Sequence, residues 1–230
     1  MDYTYLDISK MIDHSLLNPV MTDAELEAGC RLACEYDVAS ACVKPYYART
    51  CAELLAGSAV AASTVIGFPH GGHKTAVKLA EARQALEDGA TELDMVVNIG
   101  KVLGGDWTFV REDIQAVTEA THGAGAIVKV IFENCYLQDA HKIRLCEICA
   151  ELGADFVKTS TGYGSGGATL EDLKLMRRHS PPNVRIKAAG GVRTLDALLE
   201  VRSIGVSRSG ATRTAGMLDE CKRRLAAARV

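Results

Sequence analysis

Short apolar runs alternate with amphipathic stretches about eight times along the 230 residues, and this alternation limits the fold more than any other feature of the chain. The runs cover 11–14, 40–44, 62–67, 92–98, 127–133, 155–160, 185–188 and 205–208. Each is short, rich in apolar and β-branched residues and bounded by turn-forming residues, as strands are. Helical patterns fill the gaps at 23–36, 73–87, 107–121, 138–152, 169–179, 194–201 and 212–227. Thr22 and Glu25 have the spacing of a capping box, and Asp88-Gly89 and Leu152-Gly153 read as helix ends. Eight strand-helix units are the count of a closed parallel barrel. The fold class is therefore α/β, a (β/α)8 TIM barrel with an N-terminal helical extension. No linker, low-complexity tract or charge block breaks the pattern, so residues 1–230 are expected to form a single domain.

Composition narrows the partners. A hydrophobic content of 48% suffices for a full core, and a net charge of −3 gives no basis for binding nucleic acid or an anionic membrane. The expected partner is a small molecule. No apolar run approaches the roughly 18 residues of a spanning helix, and Met1-Asp2-Tyr3 opens nothing like a secretion signal, so a cytoplasmic location is expected. Eight cysteines are scattered through apolar segments and read as reduced thiols. Cys146-Glu147-Ile148-Cys149 has redox spacing but lies inside a helical stretch, which favours core packing. His70-Gly71-Gly72-His73 lacks the carboxylate or cysteine that would complete a ligand set, so no metal is expected.

Two lysines stand out against this frame. Lys158 and Lys187 each end an apolar run and precede small residues and glycine. Lysine is rarely buried without a partner or a purpose. Alternation places Lys129, Ile131 and Glu133 on one face, toward the barrel interior, and directs Asp94 inward from its own strand. Asp13, Lys44 and Arg208 also fall within or just after strand-like runs, at the carboxyl ends where barrel chemistry belongs. A self-neutralising ion network is the plain alternative, but buried ion pairs add little stability over apolar residues.

A solvated lysine has a pKa of roughly 10.4 and is almost wholly protonated near neutrality. A second cation and removal from water both favour the neutral amine, which attacks carbonyl carbon. Lys158 and Lys187 fit that pairing, one as imine-forming amine and the other as the cation beside it. Asp94 is the candidate to move protons. The reaction class this defines is carbon-carbon bond cleavage or formation through a covalent imine.

Glycine-rich loops after the last strands suggest where a phosphate rests. Gly162-Tyr163-Gly164-Ser165-Gly166-Gly167 satisfies a dinucleotide fingerprint literally, but it falls late in the chain without the acidic residue that should follow. Gly190-Gly191, and Ser209-Gly210 with Thr212, match the phosphate site of such barrels, where backbone N–H groups and a helix N-terminus bind the anion.

Four segments, Lys158-Thr159-Ser160-Thr161-Gly162, Lys187-Ala188-Ala189-Gly190-Gly191-Val192-Arg193-Thr194, Glu92-Leu93-Asp94-Met95-Val96-Val97-Asn98 and Ile12-Asp13-His14-Ser15-Leu16-Leu17-Asn18-Pro19, resemble the signatures of the deoxyribose-phosphate aldolase family. The resemblance runs in order from about Ile12 to Arg213. It implies a metal-independent class I aldolase, an aldehyde-lyase of deoxyribonucleotide catabolism that reversibly cleaves 2-deoxy-D-ribose 5-phosphate to D-glyceraldehyde 3-phosphate and acetaldehyde. Lys158 matches the Schiff-base lysine, Lys187 the second lysine and Asp94 the proton-relay aspartate. Asp13, Lys129, Cys42 and Thr159 match residues of the substrate and relay set, Gly162 joins the phosphate loops, and a homo-oligomer is implied.

Two departures bear on the substrate. The family usually has Arg, an apolar residue, Gly, Thr or Ala, then two serines; here the segment reads Arg208-Ser209-Gly210-Ala211-Thr212-Arg213. Arg213 replaces a phosphate-holding serine, either to bind phosphate more strongly or to accommodate a different acceptor tail. The sequence also closes at Arg229-Val230 without the C-terminal tyrosine tail of some members. A class I aldolase for another phosphorylated aldehyde or sugar is the alternative, and a non-catalytic phosphosugar-binding barrel a third reading.

Overall fold

A computed structural model describes residues 3–228; Met1-Asp2 and Arg229-Val230 lie outside them. The elements run α1 (Tyr5–Ser9), β1 (Ile12–Leu16), α2 (Asp23–Glu35), β2 (Ser40–Val43), α3 (Ala48–Leu54), β3 (Ala61–Ile66), α4 (Thr75–Glu87), β4 (Glu92–Val96), α5 (Ile99–Leu103), α6 (Trp107–Gly123), β5 (Ile127–Ile131), α7 (Asp139–Glu151), β6 (Phe156–Lys158), α8 (Leu170–His179), β7 (Arg185–Ala189), α9 (Leu195–Ser203), β8 (Arg208–Ala211) and α10 (Thr214–Ala227). All eight strands are parallel and close in sequence order, β8 pairing with β1. This is the predicted (β/α)8 barrel, and α1 is its helical extension.

Alternation divides the strands into two chemistries. Outward positions such as Leu93, Met95, Val128, Val130, Val157 and Ile186 are wholly buried and belong to the apolar core. Helices cover them with matching faces; α2 buries Leu26, Gly29, Cys30 and Ala33. A Cβ at Gly29 would meet the Leu16 side chain, so glycine lets the helix approach β1 with Leu16 in place. The Thr22–Glu25 capping box forms as predicted. Cys146 and Cys149 are buried in α7 as free thiols, in keeping with core packing. No helix among the described residues is long and apolar enough to cross a membrane.

Three sequence expectations need correction. The eighth strand is Arg208–Ala211, not 205–208. Gly205, at φ 95°, closes the end of α9, and the weakly strand-forming Ser209-Gly210 is drawn into the sheet by pairing with Ile12 and Ala188 on either side. Several other runs overshoot their strands because the first loop residues, such as Val97 and Phe132, are as buried as the strands. Glu133 does not continue the inward alternation of β5, because its backbone turns left-handed at φ 59°.

Outside the barrel, Lys78 of α4 is fully buried and donates to the Val96 carbonyl at 2.8 Å and to Asp113 of α6 at 2.5 Å. Thr75 holds the other oxygen of Asp113. Removing one partner strands a charge away from water. Asp113→Ala is expected to lower stability by about 3–5 kcal/mol, measured by urea unfolding, whereas a paired Lys78→Met/Asp113→Leu variant should recover most of the loss.

Candidate active site

The inward strand positions carry charge where the outward ones carry hydrocarbon. Register sets Asp94 beside Lys129, Lys158 beside Lys187 and Lys187 beside Arg208. Asp13, Glu92 and Asp94 thus meet Lys129, Lys158, Lys187 and Arg208 inside one closed sheet, all but Arg208 almost fully buried. Asp94 is the hub. Its Oδ1 accepts from Lys129 Nζ at 2.7 Å, and its Oδ2 accepts from both Lys158 at 2.6 Å and Lys187 at 2.7 Å. Lys187 also lies 2.5 Å from Asp13, and Lys129 lies 2.7 Å from Glu92. Arg208 joins Asp13 and Glu92 at the base.

Three carboxylates therefore meet four cations in this network, with Arg185 a further cation near Glu92 and Arg208, and the crowding of positive charge favours loss of a proton from one lysine. The titration directions single out which one. Burial depresses Lys158, the adjacent Lys187 charge adds to this, and Asp94 does not outweigh them, so Lys158 falls below the usual lysine value. Burial also acts on Lys187, but Asp13 and Asp94 more than offset it, and its pKa rises. The same holds for Lys129, where burial is outweighed by Asp13, Asp94 and Glu92. Burial raises the Asp94 carboxyl, yet Lys129, Lys158 and Lys187 together hold it well below the carboxylate range.

Above the network, at the carboxyl ends of the strands, lies a cavity of about 640 Å³. Of the three interior lysines, Lys158, the last residue of β6, lines it; Lys129 and Lys187 lie deeper. The strand chemistry thus sits partly at mid-barrel, lower than the carboxyl-end placement expected from sequence.

The other predicted residues separate clearly. Cys42 is buried within the network's field, where burial and Asp94 push its thiol up. Thr159 does not reach the cavity; it donates to the Ala189 carbonyl and accepts from the Ala189 N–H, stitching β6 to β7. Gly162, Gly190, Gly191, Gly210 and Thr212 line the cavity. Ser209 does not, being sealed within β8 with its hydroxyl unpartnered. Arg213 is the exposed N-cap of α10, off the cavity lining, because the strand shift moves it past the mouth. Lys44 stands apart from the interior and donates to the carbonyls of Asn18, Pro19 and Met21, securing the loop after β1. Arg208 begins β8 and so sits at the base rather than at a carboxyl end.

Sequence reasoning missed Glu92, Arg193 and Glu133's actual partners. Arg193 lines the cavity two residues beyond Gly191 and was visible only as part of a motif. Glu92 needed the strand's register to be seen pointing inward with Asp94. The loops after β6 and β7 touch through backbone: a Cβ on Gly167 would lie 2.5 Å from the Gly190 carbonyl oxygen. Gly190 itself has φ 76°.

An eightfold barrel whose interior brings a lysine of lowered pKa to a cavity of about 640 Å³ defines the class, a barrel suited to amine chemistry. The chain belongs to the DeoC/LacD family of aldolases, which it matches over residues 8–218. It is 64% identical over 224 residues to the deoxyribose-phosphate aldolase of Rhodopirellula baltica, covering 97% of this chain and 93% of that protein. It is 48% identical over 207 residues to the deoxyribose-phosphate aldolase of Thermococcus gammatolerans, covering 89% and 92%. Among solved structures it resembles the tetrameric deoxyribose phosphate aldolase of Aeropyrum pernix, at 30% identity and TM-score 0.88 over 95% of this chain and 92% of that one. It also resembles QR15, an aldolase, at 34% identity and TM-score 0.91 over 96% and 99%.

Lys187 disfavours the protonated form of Lys158, so removing it makes protonation easier and raises the Lys158 pKa. In Lys187→Met the rate at which borohydride traps a small aldehyde on Lys158 should therefore rise with pH later than in the parent, shifting the profile to higher pH. An unmoved profile contradicts the electrostatic coupling.

Proposed function

We propose that this chain is a class I aldolase that reversibly cleaves 2-deoxy-D-ribose 5-phosphate to D-glyceraldehyde 3-phosphate and acetaldehyde. One observation carries the reading: Lys158, the interior lysine that reaches the cavity, is also the one whose pKa the interior lowers rather than raises. The names of the relatives agree with it.

Lys158 Nζ, as the neutral amine, attacks the aldehyde carbon of the open-chain sugar and gives a carbinolamine, which loses water to form a protonated imine. Loss of the proton from the C3 hydroxyl breaks the C2–C3 bond. Its electron pair flows into the imine, leaving an enamine on Lys158 and releasing D-glyceraldehyde 3-phosphate. Protonation of the enamine at C2 and addition of water then release acetaldehyde and restore the amine. Asp94 touches both Lys158 and Lys187 through one oxygen, and Lys187 retains its proton. The proposed relay therefore runs from Lys187 through Asp94 to the intermediates, with Asp94 as the bridge and Lys187 as the proton store. Lys129 and Asp13 fix that bridge in place.

Gly190, Gly191 and Thr212 are proposed to hold the phosphate with Arg193, which takes the part the sequence suggested for Arg213. With Arg213 off the cavity, the reason for preferring a different acceptor falls away. No metal is invoked, since the carboxylates of the site are each engaged by ammonium or guanidinium groups. The protein is proposed to act in the cytoplasm, as one aldolase domain per chain within a homo-oligomer.

Borohydride added with acetaldehyde should leave a stable ethyl adduct on Lys158, located by peptide mass analysis; an unmodified Lys158 sinks the proposal. Arg193→Ala should raise KM for 2-deoxyribose 5-phosphate roughly tenfold or more while leaving KM for unphosphorylated 2-deoxyribose unchanged, as steady-state kinetics on both sugars will tell.

A further inference from the structure

The Tyr163 side chain reaches well beyond its own loop. It follows β6, yet its hydroxyl donates to the carbonyl of Leu17, the first residue after β1, at 2.6 Å. Its ring also meets the ring of Phe68, in the loop after β3, edge-on at 86° with centroids 5.4 Å apart. In the closed strand order β6 stands three places from β1 by way of β7 and β8, and three places from β3 by way of β5 and β4. A side chain rooted after β6 that touches the loops after both β1 and β3 therefore crosses the mouth of the barrel.

The outline of the cavity follows this crossing. Among the described residues its lining comes from β1, β6, β7, β8 and the segments that follow them, and none comes from β2 to β5. Both ends of the crossing, Tyr163 and Leu17, line the cavity, whereas Phe68, which backs the Tyr163 ring, does not. The side chain is a chord that divides the barrel top into an open sector holding Lys158 and a closed one above β2 to β5. Three holds keep it there: the Leu17 carbonyl, the Phe68 edge, and the Thr161 hydroxyl, which accepts from the Tyr163 N–H at 3.0 Å. Gly162, at φ 89°, makes the turn that brings Tyr163 over the mouth. A residue serving only the core would be sealed from water; Tyr163 is 47% exposed, as a wall between cavity and solvent must be.

We propose that Tyr163 is a specificity-determining residue, a fixed wall across the barrel mouth that admits slender aldehydes to Lys158 and excludes bulky ones by denying them the sector above β2 to β5. The inference rests on the imine reading of Lys158. Discrimination of this kind works by a clash with the larger competitor and asks for no added attraction to the smaller one.

The test compares acetaldehyde with 3-phenylpropanal, two straight-chain aldehydes that differ in bulk beyond the reacting carbon. Each condenses with a lysine amine to an imine with loss of water, and borohydride supplies the hydride that fixes it as a secondary amine. Peptide mass analysis reads the ratio of the two adducts on Lys158 against the ratio on Lys74, an exposed lysine of the same protein. In the parent Lys158 should favour acetaldehyde about tenfold or more over that reference. Tyr163→Ala should cut the preference at least about fivefold, and Tyr163→Phe, which keeps the ring but frees it from Leu17, should cut it by less. If Tyr163→Ala changes trapping of both aldehydes equally and leaves the preference intact, Tyr163 only ties the loops together and the proposal is overturned. Should Tyr163→Ala not fold, Tyr163→Phe decides alone, an unmoved preference overturning it. A parent that traps both aldehydes alike on Lys158 overturns this inference by itself, whereas a parent that traps neither overturns the imine reading and this inference with it.

Discussion

A single carboxylate, Asp94, ties three lysines from β5, β6 and β7 together inside a closed sheet. The rest of the structure is arranged so that this can persist without water. Three ammonium groups on one carboxylate would repel each other apart in an open site; here Asp13 and Glu92 share the load from β1 and β4, and Arg208 closes the base from β8. Each strand supplies its member through a fixed register, so the geometry is set by backbone pairing rather than by flexible loops.

Such an interior adds little to stability, because the desolvation of so many charges consumes most of their attraction. Stability has to come from the layer between sheet and helices. There the outward strand residues are almost all aliphatic and fully buried, and the helices seal them with faces such as Leu26, Cys30 and Ala33 of α2. The division suits catalysis, since side chains inside the barrel are free of the packing duties that fall to the layer outside.

The alternation of strands and helices, and the inward direction of Asp94 and Lys129, were legible because period two and period 3.6 are written directly in the residues. The lysine pair was legible because an ammonium at the end of an apolar run is costly to bury unless it is paired or put to use. The last strand was not, because Arg208-Ser209-Gly210-Ala211 has no strand character of its own and is held by its neighbours. With that displacement of a few residues Arg213 falls at the start of α10, off the cavity lining. Alternation assigns Glu133 to the barrel interior only by assuming an extended backbone, and nothing in the local residues announces a left-handed turn. Thr159 shows a different limit: a motif neighbour of the key lysine can serve the sheet alone.

The crowding of cations around Asp94 also bears on how long a covalent intermediate survives. Loss of the Lys158 proton eases that crowding, but a protonated imine on the same nitrogen restores it. In the proposed cycle each charged adduct is therefore pressed either to draw electrons from the bond beside it or to return to the free amine. The same crowding that lowers the Lys158 pKa would then keep the enzyme from becoming trapped on its own product.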